Sequence, residues 1–151
     1  MDLDAILVKA EPQVLDEAFS ALQRSHVLHY ETAGEQLTRQ RLAELFNLVV
    51  GAIRDRDLSA VVTYSEQVAV ERFNSGFDVS EVQTAFNALE EAMWRRVVLA
   101  EPPTDLAEAI GLLSTVLGAG KDALARQYVS LACRRHVPSL DLSSLFQGTS
   151  S

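Results

Sequence analysis

Two histidines three residues apart are the most suggestive chemical pair in this chain. His26 and His29 continue the apolar stripe Leu15, Phe19, Leu22 with steps of four and three. On one helix, both imidazoles would face a single metal ion or cofactor. No ExxH pair accompanies them, so the di-iron bundle pattern is missing. The plainer reading is structural: a histidine near a helix C-terminus interacts well with the dipole and packs half-buried at the end of a stripe. Cys133 is followed by Arg134, Arg135 and His136, and nearby cations lower a thiol pKa and make it redox-active. Basic residues also belong at helix C-termini as dipole partners, as with Arg95 and Arg96. Glu66, Glu71, Glu90 and Glu91 offer carboxylates for acid–base work in a cleft, or simply a solvated face. The chain contains no P-loop, GxGxxG, GxSxG, HExxH or CxxC motif. The expectation is a protein that is not an enzyme, with no catalytic residue and no cofactor.

Composition narrows the partners. The formal net charge is −8. A duplex-binding protein gains affinity by placing Lys and Arg on phosphates, so nucleic acid is not an expected partner. The same charge disfavours anionic membrane surfaces. No run of about 18 apolar residues is present. The opening MDLDAILVKAEP carries acids ahead of its apolar stretch, the reverse of a signal peptide. A lone cysteine, Cys133, allows no internal disulfide and fits a reducing compartment. The expected location is the cytoplasm.

The elements that must position these residues are helices. Apolar residues recur at three and four, and strand signals are nearly absent. The length of 151 residues fits one domain. The predicted architecture is all-α: an antiparallel helical bundle of about five long helices with a short N-terminal helix, spanning residues 1–136. A tail, 137–151, is expected to be partly docked or disordered. The short helix uses Leu3, Ile6, Leu7 and Ala10 behind Asp2 as cap. Pro12 opens a helix running to about Tyr30. The next covers about Glu35 to Arg54, with Leu42, Leu45, Val49 and Ala52 beside Phe46, Val50 and Ile53. A third runs from about Leu58, capped by Asp57 or Ser59, to Ser75, and Gly76 supplies a left-handed stop. Asp78 and Ser80 compete to cap the fourth, each with a capping-box partner, Glu81 or Gln83. Its core stripe is Val82, Phe86, Leu89 and Met93. Trp94 lies one place off that stripe, with a core groove as the first expectation and an interface as the second. Tyr64 and Tyr128 could line a pocket.

The last helix, capped by Thr104 and predicted to reach about Arg134, is the most regular. Ile110, Leu117, Leu124 and Leu131 repeat every seven residues, beside Leu106, Leu113 and Gly120. A second row holds only small residues: Gly111, Gly118, Ala125 and Ala132. Such a repeat suits near-parallel helix packing. Either it all packs inside the bundle, or part of it forms a dimer seam. The interface residues to test are Ile110, Gly111, Leu117, Gly118, Leu124, Ala125 and Trp94. Gly118-Ala119-Gly120 is a place where the helix could bend.

The segment VAVERFNSGFDVSEVQTAFNALEEAMW resembles the hallmark of the N-terminal domain of RsbR-type (RsbRD) stressosome co-antagonists. The matching residues are Glu71, Arg72, Phe73, Gly76, Phe77, Glu81, Val82, Ala85, Leu89, Ala92 and Trp94. Physically, Gly76 ends one helix and Phe77 staples onto the next, giving a tight αα-hairpin. The resemblance implies a sensory or regulatory input domain in a bacterial stress-response signalling protein, often dimeric. Family members usually carry a C-terminal STAS or other output domain, for which the residues after the last helix leave no room. A stand-alone relative acting on a signalling partner in trans is therefore expected, with a fragment as the other possibility. The alternative function is a small-ligand, metal or haem sensor using a pocket near His26 and His29.

Overall fold

The computed structural model describes residues 3–100 and 103–140. Among them are seven helices and no strand: α1 (Leu3–Lys9), α2 (Glu11–Arg24), α3 (Leu28–Ala33), α4 (Glu35–Asp55), α5 (Ser59–Asn74), α6 (Val79–Ala100) and α7 (Pro103–Leu140). The fold is the all-α bundle its sequence predicts. α7 lies along α5 and α6, α2 along α6 and α4, and α1 on α4 and α6. The whole stripe of α4 from Leu42 to Ile53 is buried, as are Val82, Phe86, Leu89 and Met93 of α6. Asp2, the expected cap of α1, lies outside the described residues.

The helix expected to run from Pro12 to Tyr30 is broken. α2 stops at Arg24, His26 adopts a left-handed φ of 50°, and Val27 is extended before α3 begins. The break shifts the register by one residue. Val27 and Tyr30 turn into the core, while His26 is left exposed and His29 half-buried. Burying a valine and a tyrosine in place of two imidazoles is the favourable exchange, worth roughly 1.5–3 kcal/mol for the apolar side chain alone. Neither glycine nor proline marks this break, so periodicity runs through it unnoticed.

The corner between α5 and α6 follows its sequence signals closely. Gly76 has φ 88°. The Gly76 N–H donates to Phe73 O at 3.2 Å and the Phe77 N–H to Arg72 O at 2.9 Å. These two bonds make a Schellman motif, which needs the left-handed residue that glycine provides. At the other end of α5, Asp57 Oδ1 accepts from the Ser59 N–H at 2.9 Å and from its hydroxyl at 2.6 Å.

α7 is one continuous helix through Gly118-Ala119-Gly120. It opens at Pro103, with Thr104 inside its first turn rather than capping it, and it extends past Arg134 to Leu140. The stretch after Arg134 holds no glycine stop, and a proline at position 138 removes only one backbone bond near the helix end. Leu113, Leu117 and Leu124 are completely buried. Leu117 and Leu124 thus belong to the bundle interior and are not available to a second chain. Gly120 lets α7 approach closely: a Cβ there would meet Val61 Cγ1 at 3.0 Å and Ser65 Oγ at 3.1 Å. Gly111 is exposed and Gly118 half-exposed, and a Cβ on either would touch nothing within 4 Å.

Candidate functional site

The richest polar structure lies where α3 and α4 meet the α5–α6 corner. Arg72 stands on the buried stripe of α5, in the series Val61, Ser65, Val68, Arg72. A charged residue in an apolar register must carry its partners inward. Arg72 is only 3% exposed, and its Nη1 donates to Glu71 Oε1. Arg41 of α4 donates to the same oxygen through Nη2 at 3.2 Å. Two guanidiniums thus share one carboxylate oxygen, and that carboxylate belongs to a side chain 58% exposed. Arg41 Nη1 and Arg72 Nε are both buried, and neither has a hydrogen-bond partner.

Phe77 is the apolar hub of the corner. The Arg72 guanidinium lies 5.7 Å from its ring centre. Tyr30 meets Phe77 edge-on at 4.9 Å, and His29 lies tilted against it, also at 4.9 Å. The Tyr128 hydroxyl of α7 donates to Phe77 O at 3.1 Å, and the Tyr128 ring packs edge-on against Phe73 at 5.7 Å. Glu81 fastens α3 to this corner. Its carboxylate lies 2.8 Å from His29 Nδ1 through either oxygen, and the His29 backbone N–H donates to Oε2 at 3.3 Å. Oε1 also accepts the Asp78 N–H at 2.9 Å, which is the capping-box bond expected for Asp78 as cap. A carboxylate can only accept, so Nδ1 carries the proton in this pair.

The electrostatics follow. Burial works to raise the Glu81 carboxyl, but the Asp78 N–H and the His29 ring and N–H outweigh it and hold its pKa below the ordinary glutamate range. Burial raises the Tyr30 phenol, with Arg72 opposing by charge and hydrogen bonding. Burial, aided by the Glu44 carboxylate, pushes Tyr64 up to about 12. Tyr128 is raised, again by burial first. The phenols therefore remain protonated at neutral pH and serve as hydrogen-bonding groups.

Behind this corner is a small, partly open cavity of about 20 Å³, walled by Leu22, Tyr30, Thr38, Arg41, Leu42, Leu45, Tyr64, Val68, Arg72, Ala85 and Phe86. Outside it runs an open groove of about 390 Å³ lined by Phe19, Leu22, Gln23, His26, Val27, Tyr30, Glu31, Gly34, Glu35 and Thr38. Leu22, Tyr30 and Thr38 are common to both walls.

The residues singled out in the sequence fall as follows. His26 and His29 lie on opposite sides of the helix break: His26 is exposed, 3.8 Å from Glu31, while His29 is engaged by Glu81. Cys133 is exposed, and the Arg135 and His136 side chains lie outside the described residues. Three of the four acids pair with cations: Glu71 with Arg41 and Arg72, Glu90 with Lys121, and Glu91 with Arg95; Glu66 lines a surface hollow with Arg126. Tyr64 lines the small cavity, as expected, whereas Tyr128 anchors the corner instead. Arg72, Phe73, Gly76, Phe77 and Glu81 converge on that corner. Trp94 stands apart at 41% exposed, which corrects the expectation of a core groove. Arg41 and Tyr30 were missed. Arg41 was legible as a charge stepping between Thr38 and Leu45 on the buried face of α4.

The fold and the site define an all-α bundle domain built around a polar inter-helix corner. Among the described residues no group of three or more His, Cys, Asp or Glu could hold a metal ion, and no helix is long and apolar enough to cross a membrane. The chain belongs to the family of the RsbT co-antagonist protein rsbRD N-terminal domain, whose model matches residues 12–140. That makes it a regulatory, stressosome-related signalling domain, of a family not known as enzymatic. No curated protein and no solved structure matches it.

Proposed function

We propose that this domain regulates signalling by protein–protein contact, as a homodimer that acts on a partner in trans in the cytoplasm. Support comes from the outer surface of α6 and α7. Lys121 Nζ of α7 donates to Asn87 Oδ1 at 3.0 Å and to Glu90 Oε1 at 2.6 Å of α6. Lys121 continues the stripe Gly111, Ser114, Gly118. Asn87 begins the stripe Glu91, Trp94, Val98. The bond therefore sets the two stripes side by side as one surface. Trp94, at 41% exposed, is the observation that carries the reading: a large amphipathic ring next to a row that includes two glycines is the kind of anchor an interface uses. Light scattering at micromolar concentration is expected to give a dimer. Trp94→Glu is expected to give a monomer with unchanged helicity, and to abolish any rise of melting temperature with protein concentration. A wild-type monomer across that range overturns the dimer reading.

The groove beside His26 favours a second reading, a small-ligand sensor. Its Phe19, Leu22 and Val27 wall is apolar, with a few polar groups at the rim, the usual make-up of a ligand site. Binding there is expected to raise the melting temperature of wild type and not of Val27→Trp.

A further inference from the structure

The small cavity between α4 and α5 carries a charge arrangement that the helix packing alone does not require. Arg41 Nη1 and Arg72 Nε are buried donors with no partner, and both residues line the cavity. Leaving a buried donor unpaired is costly, more so when it is charged, so native interiors satisfy such groups with protein, water or an ion. At about 20 Å³ the space holds one water-sized occupant by the usual requirement of roughly 10–15 Å³.

Charge decides which occupant. Two guanidiniums are balanced at close range by the single Glu71 carboxylate, and that side chain is largely in solvent, where its charge is screened. The Glu44 carboxylate is exposed and engaged by the Tyr64 hydroxyl at 3.4 Å. Thr38 spends its hydroxyl hydrogen on Tyr30 O at 3.3 Å. The cavity lining therefore carries an excess of positive charge and two unpaired guanidinium N–H groups, Arg41 Nη1 and Arg72 Nε, beside the Tyr30, Tyr64 and Thr38 hydroxyls. An anion accepts from both guanidinium donors and offsets the excess charge, which a neutral water does not.

We propose that this cavity is a binding site for a single monovalent anion of halide size, chloride being the available one, held between Arg41 and Arg72. The anion joins α4 to α5 directly behind the corner that Phe77 and Glu81 build. Leu22, Tyr30 and Thr38 border both this space and the outer groove. The site is independent of how the domain dimerises.

The test uses the full chain. Crystals soaked in sodium bromide are expected to show an anomalous peak between the two guanidiniums. In solution, melting is followed at fixed sodium concentration while gluconate is replaced by chloride. At chloride ten times its dissociation constant the expected rise is about 3–6 °C, saturating with concentration. Arg41→Gln is expected to fold and to lose both the peak and the chloride dependence. Ordered water with no bromide signal, or equal melting in gluconate and chloride, overturns the proposal. If Arg41→Gln does not fold, the bromide and chloride measurements on wild type still decide.

Discussion

His29 Nδ1 lies 2.8 Å from both carboxylate oxygens of Glu81. This one pair fastens the short helix α3, which has little packing surface of its own, to the first turn of α6. The same carboxylate accepts the Asp78 N–H, so a helix cap and a tertiary tie share two oxygens.

That sharing predicts an acid-sensitive fold. The folded Glu81 pKa lies below its ordinary value. Its contribution is therefore full above the unfolded pKa and is lost as pH falls through the lower folded one. Urea unfolding between pH 7 and pH 3 is expected to show stability falling through the acid range. Glu81→Gln should flatten that limb. It should also cost about 1–3 kcal/mol at neutral pH, from the weakened cap and tie. An unchanged acid limb in the variant would mean that Glu81 plays no part in it.

Arg72 separates shape from charge. It is 3% exposed, and its carboxylate partner is in solvent, so removing it strands no buried anion. Arg72→Ala is expected to cost about 2–5 kcal/mol, as large-to-small core changes do. Arg72→Met keeps most of the volume and is expected within about 1.5 kcal/mol of wild type in chloride-free buffer, since buried charges are often replaceable by apolar groups. Chemical denaturation of the two variants reads the difference. Equal, large losses would show that the guanidinium itself holds the corner.

The two glycines of α7 should behave oppositely. Gly118 has open space where a Cβ would go, whereas at Gly120 the Val61 side chain is already 3.0 Å away. Gly118→Ala is expected to stabilise the folded chain by about 0.5–1 kcal/mol through helix propensity. Gly120→Leu overpacks the α5–α7 contact and is expected to cost about 1–3 kcal/mol or more. Melting temperatures measured side by side check the contrast. Similar losses at both would mean that the glycine row also packs inward.

Much of this domain was legible in residue order. Helical periodicity placed the stripes of α4 and α6. Gly76 marked the α5–α6 corner, and Asp78 with Glu81 marked the start of α6, because caps and turns are local chemistry that three or four residues specify. The family motif was readable for the same reason: Arg72, Phe73, Gly76, Phe77 and Glu81 lie within one turn-connected segment.

Tertiary structure alone decided the rest. The break at His26 has no local signal; it exists because Val27 and Tyr30 gain more from the core than two imidazoles would, and a sum over distant contacts cannot be read from spacing. The meeting of His29 with Glu81, and of Arg41 with Arg72, joins residues far apart in the chain. The cavity is walled by side chains from α2, α3, α4, α5 and α6, which meet only once the helices pack. Local sequence specified the helices and their ends, while burial, which only the assembled bundle can assign, specified which side chains became partners.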